Sequence, residues 1–274
     1  MPNLTGERPL EGLTPDSILA LHDAGYRAVL GRLGSGRVVD IGCGEGFESA
    51  GLAGPERYVI GVDYSFAALK ATIGRFPTTT VCPAQMEATN LGLAQGSVKW
   101  VCSSHLIEHF ANPESHVAEI SRVLASDGTA FVLTPNRPAD FENPFHLTLF
   151  DAADLAELLG EWFWEVRVYG LDATEVVKAD FASRRAKAQR LLALDHFDIR
   201  HKIPRSWYLA AYTRLLPVAY RFLAKATTAG GSGITAEDFF VTEEVDETTL
   251  ALFAVASIPK RPKGTYGVKG SGRG

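Results

Sequence analysis

In the stretch VVDIGCGEGFES, residues 38–49, an acid, Asp40, precedes three glycines at alternate positions, Gly42, Gly44 and Gly46. A loop with so little side chain lets a ligand approach the backbone, and the helix that follows offers its N-terminus to polar groups. Dinucleotide-binding loops use G-x-G-x-x-G, whose last glycine would fall on Phe47, so that spacing fails. The spacing present is D-x-G-x-G-x-G. An acid ahead of the loop repels a pyrophosphate and suits a cationic amine, which points to a ligand with an ammonium group. A second set of reactive groups lies in HLIEH, residues 105–109, where His105, Glu108 and His109 share one face if the segment is helical. His146 follows in TPNRPADFENPFH, and such a set can act as a general base or hold a divalent cation.

The elements must carry these groups to one edge. Residues 14–33 read as a helix, with Thr14 as its N-cap, Pro15 in its first turn, and Ile18, Leu19, Leu21, Ala24, Val29 and Leu30 at helical spacing. Short apolar runs then alternate with helical patterns. They are RVVDI (37–41), YVIGVD (58–63), TTVCP (79–83), VKWVCS (98–103), TAFVLT (129–134) and WEVRVYG (164–170), with Ser65 capping the helix after the second. This alternation is the pattern of an α/β, doubly wound, mostly parallel sheet, in which ligands bind at the carboxyl ends of the strands. DFFVTEE (238–244) and TLALFAVAS (249–257) read as a hairpin pair. The expectation is a Rossmann-like seven-stranded sheet with an antiparallel C-terminal strand and a helical insertion. Residues 1–36 would form an N-terminal helical cover, 37–170 the core, 171–237 a helical cap, 238–258 the closing strands and 259–274 a flexible tail.

With 274 residues, 46% hydrophobic and 22% charged, the composition is that of a soluble globular protein. The net charge of −5 argues against a general nucleic-acid binder, because phosphate contacts want clustered cations. Cys43, Cys82 and Cys102 form no CxxC pair and read as reduced thiols in a reducing compartment. The start MPNLTGERPLEG lacks the apolar segment of a signal peptide. Arg214, Pro217 and Arg221 interrupt the most apolar long window, 206–226, which makes it a poor transmembrane segment. The expected location is cytoplasmic.

From Val38 to Phe150 the sequence resembles the class I S-adenosylmethionine (SAM) dependent methyltransferases, with VVDIGCGEG matching their cofactor loop. The resemblance implies that Asp40, Gly42 and Gly44 hold the amino-acid end of SAM, that Gly46 permits the tight turn, and that Asp63 accepts both ribose hydroxyls. In QMEATNLGL, Glu87 stands where the family has Asp and would face the adenine amine. Cys43, Tyr64, Met86, Ala88, Ser103 and Ser104 complete the implied cofactor site. SSHLIEHF and EISRVLASDGTAFVLTPN match the family's segments after the fourth strand and through the fifth.

Methyl transfer from a sulfonium is an in-line displacement, and a hydroxyl acceptor needs a base or a metal to take its proton. A Glu-x-x-Glu-His metal set occurs in ubiquinone-pathway O-methyltransferases and in small-RNA 2′-hydroxyl methyltransferases. Here His105 replaces the first Glu, which weakens a Mg²⁺ site and favours a softer ion such as Zn²⁺. Glu-His after the fourth strand is widespread in related enzymes without a metal role. The favoured reading is therefore metal-free, with His146 or His109 as the base.

The acceptor is read only from the insertion. From Arg184 to Lys225 there are ten Lys or Arg against two acids, Asp195 and Asp198, with Phe197, Trp207, Tyr208, Tyr212, Tyr220 and Phe222 among them. Such a cap suits a small-molecule, sugar or lipid-linked glycan acceptor, and its alternative is a solvated helical cover. DNA base methylation is not expected, because SSHL stands where those enzymes have an Asn- or Asp-Pro-Pro-aromatic motif, while protein and tRNA acceptors stay open. N- or C-methylation and a non-catalytic SAM-binding module stand as alternatives, and the oligomeric state is left open.

Overall fold

The computed structural model describes residues 14–140, 143–192 and 233–260. Its first element is helix α1 (Asp16–Leu30). Pro15, not Thr14, stands at its N-cap position, and no side chain caps it. Five strands follow in the expected places: β1 (Gly36–Ile41), β2 (Arg57–Asp63), β3 (Val81–Gln85), β4 (Val98–Ser104) and β5 (Leu124–Pro135). They pair in parallel, β1 with both β2 and β4, β2 with β3, and β4 with β5. Helices α2 (Phe47–Leu52), α3 (Phe66–Arg75), α4 (Pro113–Val123) and α5 (Ala152–Trp162) occupy the crossovers. Ser65 caps α3 as expected, accepting from Ala68 N at 3.4 Å.

The sheet has eight strands, not seven, in the order β3-β2-β1-β4-β5-β8-β6-β7. The expected hairpin is not one. Strand β6 (Phe163–Ala173) lies between β7 (Phe239–Thr242) and β8 (Ala251–Pro259) and pairs antiparallel with both. With 11 residues, β6 is long enough to hold β8 along most of its length and β7 beyond it, so β7 adds the eighth strand. After β6 the chain enters α6 (Glu175–Leu192). The insertion's aromatic residues from Phe197 to Phe222, the apolar window 206–226 and the tail after Lys260 lie outside the described residues. No helix among the described residues is long and apolar enough to cross a membrane.

Both faces of the parallel strands are covered, which explains their near-continuous apolar runs. Alternate residues feed two cores. Val38, Val59, Val81, Phe131 and Phe253 pack on the α1 side, and Val39, Ile41, Val62, Val101 and Val132 pack against α4 and α5. Helix α1 approaches β5 closely at Gly25, where a Cβ would lie 2.5 Å from Leu133 Cδ2. Ser17, Asp180 and Arg184 tie α1 to α6 through hydrogen bonds of 2.7–3.0 Å. Cys43, Cys82 and Cys102 are all free thiols.

Phe253 is fully buried and stacks on Phe131, with ring centroids 6.1 Å apart, and beside Tyr169. Phe253→Ala is expected to destabilise the fold by roughly 3–5 kcal/mol, because the cavity cannot close between two sheet neighbours. A urea-unfolding midpoint unchanged from wild type would show that β8 is not integral to the core.

Candidate active site

The glycine loop leaves β1 at Ile41 and turns through Gly42, Gly44 and Gly46 with φ of 82, 55 and 78°. Gly42 and Cys43 donate their backbone N–H groups to Val62 O, which seals the loop to the end of β2. Asp63 closes the arrangement, accepting from Gly44 N at 3.0 Å and from Ser65 N at 2.7 Å. A Cβ at position 46 would lie 2.6 Å from Thr72 Cγ2, so glycine is needed there for space as well as for φ. Gly42, Gly44 and Asp63 are thus brought together at the carboxyl ends of β1 and β2, as the sequence predicts.

Asp40 lies deeper. Its carboxylate is fully buried and accepts from Tyr26 Oη at 3.0 and 3.2 Å and from Ser49 Oγ. Burial raises its pKa to about 6, against the lowering effect of the Ser49 and Tyr26 hydrogen bonds. Its oxygens therefore face protein hydroxyls and the Cys102 thiol beneath the loop, and the buried Cys43 lies against Gly61.

On the β3 side, Met86 N donates to Asp63 O at 3.2 Å, and Glu87, exposed, bridges to Asn90. Tyr64 and Phe66 present exposed rings next to Asp63. Ala88 and Ser103 are joined by a residue that the sequence reading overlooked. His116 Nδ1 lies 3.0 Å from Ala88 O and its Nε2 2.9 Å from Ser103 Oγ. Nδ1 must donate to the carbonyl, so Nε2 accepts from Ser103 O–H. Burial lowers the His116 pKa to about 4 and keeps it neutral.

The HLIEH segment is not an α-helix. His105 has φ 50°, and only a single 3₁₀ turn, Ile107–His109, follows. That turn still brings Glu108 Oε1 within 3.6 Å of His105 Nδ1. Glu108 is buried, with Oε2 accepting from Thr134 Oγ1 at 3.0 Å. Burial pushes its carboxyl up, but the hydrogen bond and charge of His105, with His109 and His146, outweigh this and bring it below the usual range. His109 and His146 meet edge to face, with centroids 5.1 Å apart. His109 Nδ1 lies 3.1 Å from Phe145 O. His146 is held at both nitrogens, Nδ1 by Asp140 Oδ1 and Nε2 by Asn143 Nδ2, each at 2.9 Å. Burial lowers the His146 pKa, and Asp140 more than reverses this and leaves it raised.

One further ring joins the set. His22 of α1 lies against His105, with centroids 4.2 Å apart and planes 36° apart. The sequence offered one signal for it: His22 and Tyr26 stand at i, i+4 on the face of α1 that carries the apolar positions.

Three buried polar atoms at the end of β4 have no hydrogen-bond partner: Ser104 Oγ, His105 Nε2 and Glu108 Oε1. A buried polar atom without a partner costs about 1–3 kcal/mol, so three within five residues mark a place where ligand groups belong. Together with the glycine loop and the Asp63 carboxylate two strands away, these atoms gather polar groups along the carboxyl edge of the parallel strands.

The buried acid gives the first test. Asp40 in the folded chain, with its pKa raised from 3.8 to about 6, keeps a proton that the unfolded chain has released. Stability from this group therefore falls as pH climbs from 4 to 6. Relative to Asp40→Asn, wild type is expected to lose on the order of 3 kcal/mol across that window in urea unfolding. A flat difference curve would show that Asp40 titrates normally.

Residues 39–132 match the methyltransferase domain family. A probable S-adenosylmethionine-dependent methyltransferase of Mycolicibacterium smegmatis is 34% identical over 170 residues, covering 60% of this chain and 65% of that protein. The chain thus spans just under two thirds of the length of that relative. A ubiquinone biosynthesis O-methyltransferase of Cupriavidus pinatubonensis is 32% identical over 133 residues, 47% of this chain and 51% of that one. Among solved structures, a SAM-dependent methyltransferase of Thermotoga maritima, described as a possible histamine N-methyltransferase, superposes with a TM-score of 0.56 at 17% identity. That superposition covers 88% of this chain and 90% of the other, and it shows the shared fold. The stretch that matches the methyltransferase domain family holds the glycine loop, Asp63 and the turn at Glu108, the elements of the candidate site.

Proposed function

We propose that this chain transfers the methyl group of SAM to a hydroxyl of a small-molecule or carbohydrate-like acceptor, with His105 taking the hydroxyl proton. The observation that carries this reading is His105 Nε2, which is buried at the end of β4 without a partner while Nδ1 faces the Glu108 carboxylate. With Nδ1–H directed at Glu108, the lone pair of a neutral His105 sits on Nε2, where a base needs it. Glu108 is fixed by Thr134 and stays ionised, so it orients the ring and stabilises the imidazolium that forms on proton uptake. His146 is the weaker candidate, because Asn143 already occupies its Nε2. SAM supplies an electrophilic methyl on a sulfonium, and Gly42, Gly44, Asp63 and the segment from Met86 to Ala88 are the groups we assign to holding it. The name of the Cupriavidus relative supports a hydroxyl acceptor. The free cysteines support a reducing, cytoplasmic setting.

A metal-assisted version of the same reaction is favoured by one observation. Glu108, His109 and His146 can each offer one ligand atom, all within 4.8 Å of one another. A divalent cation there would lower the pKa of the acceptor hydroxyl. His109 Nδ1 on Phe145 O and His146 Nδ1 on Asp140 would then orient the two rings, and His146 Nε2 would have to release Asn143.

The proposed carbohydrate acceptor rests on the basic, aromatic insertion. Two of its cations already have partners in the fold. Arg184 pairs with Asp180, and Arg185 donates to Pro138 O at 2.7 Å.

The direct experiment offers methyl-labelled SAM and a fractionated host extract to the purified protein, with and without a chelator. Label in a carbohydrate or glycolipid fraction supports the acceptor class, and loss of label with chelator selects the metal-assisted version. With the acceptor in hand, His105→Ala is expected to lower turnover by roughly 10²–10⁴-fold, the worth of a positioned base, while SAM affinity holds. A variant that turns over normally removes His105 from the mechanism. Asp63→Ala is expected to weaken SAM binding by about 1–2 kcal/mol in calorimetry, since it loses hydrogen bonds to a charged group. Unchanged affinity would place the cofactor away from the end of β2.

A further inference from the structure

We infer that His22 belongs to the acceptor site, as a positioning residue whose ring covers the proposed base and moves aside when an acceptor enters. This inference rests on the reading of His105 as base. The two rings come from distant parts of the chain, His22 from α1 and His105 from the end of β4, and meet at 4.2 Å between centroids. The His105 side chain is 10% exposed, and its Nε2 reaches neither solvent nor a protein partner. A base sealed in this way cannot meet a hydroxyl until a neighbour shifts.

His22 is the neighbour able to do so. Among the described residues no hydrogen bond holds its ring, so stacking on His105 is its main anchor. Such a contact is worth about 0.5–1.5 kcal/mol, small enough for a bound acceptor to displace. Glu108, on the other side of His105, is fixed by Thr134. Helix α1 also stays in place, because Tyr26, one turn further on, is bonded to Asp40. The His22 side chain can therefore swing aside without a shift of the helix. In the closed arrangement burial, then the nearby His105, hold His22 well below its usual pKa and keep its ring neutral. The entering group must be a hydrogen-bond donor, because Nε2 of His105 offers a lone pair. A hydroxyl meets that condition and a carboxylate does not.

The test uses diethyl pyrocarbonate, which acylates an unprotonated imidazole nitrogen, on the full chain with S-adenosylhomocysteine present. Labelling is followed residue by residue by peptide mass spectrometry at neutral pH. In wild type His105 should label slowly. In His22→Ala it should label roughly three- to tenfold faster, the population change that loss of a ring stack allows, with His146 unchanged. His22→Phe, which keeps a ring over His105, should restore slow labelling. Circular dichroism and cofactor affinity confirm that each variant is folded, and His22→Gln gives the same comparison should the alanine variant unfold. Equal His105 labelling in wild type and in the variants without a ring at 22 would overturn the inference. Because labelling needs no turnover, that failure is distinct from a failure of His105 as base, which only the turnover of His105→Ala reads.

Discussion

Tyr26 reaches from α1 to the Asp40 carboxylate at 3.0 and 3.2 Å, and that contact fixes where the N-terminal helix lies over the sheet. Asp40 is the next-to-last residue of β1, so a helix that precedes the sheet in sequence is tied to the strand from which the glycine loop departs. Ser49 binds the same carboxylate from α2, on the far side of the loop. One buried acid therefore holds the loop between two helices. The placement of His22 follows, since a residue four positions before Tyr26 lies one turn along the same face and arrives above the end of β4. The close approach at Gly25 belongs to the same constraint, because a larger residue would lift α1 away from Leu133 and separate Tyr26 from Asp40.

Two buried carboxylates in this chain are tuned in opposite directions, and their surroundings explain the difference. Asp40 is met by two hydroxyls and the Cys102 thiol, all neutral, with Glu48 nearby, and desolvation prevails. Glu108 is equally buried, but three imidazoles face it and their effect prevails. Asp40 supports the loop through the hydroxyls that bond to it, and its raised pKa is the consequence of burying that acid. Glu108, in the role proposed for it beside His105, would have to remain charged. The sequence alone does not distinguish the two, because the distinction lies in neighbours that come from α1, β5 and the loop after it.

The parts of the fold that were legible in the sequence are those set by local chemistry. The apolar runs ending at Ile41, Asp63 and Ser103 are strands because both faces are buried, and Ser65 caps a helix because its hydroxyl can accept from the turn it begins. The glycine loop was legible for the same reason: alternate glycines with positive φ mark a turn by local backbone chemistry alone. What was misread depends on partners distant in sequence. Strands β7 and β8 looked like a hairpin because only a few residues separate them, and nothing local indicates that β6 lies between them. His116 and His22 were passed over because each gains meaning only beside Ser103 or His105.

His105 shows how a misassigned local structure can still deliver the right neighbours. A helix over HLIEH would place His105 and Glu108 one turn apart, and the structure reaches the same proximity by another route. Strand β4 ends abruptly at a residue with φ 50°, one of two non-glycine residues with positive φ among those described. A backbone in that region costs on the order of 1–3 kcal/mol and persists only where its surroundings enforce it. Here the His105 N–H is held by Leu133 O at 2.9 Å, and the 3₁₀ turn that follows closes on Leu106 and Ile107. Relaxing residue 105 into an extended conformation would prolong β4 and carry Glu108 away from it. The strain at this position is therefore the physical condition for the carboxylate–imidazole pair.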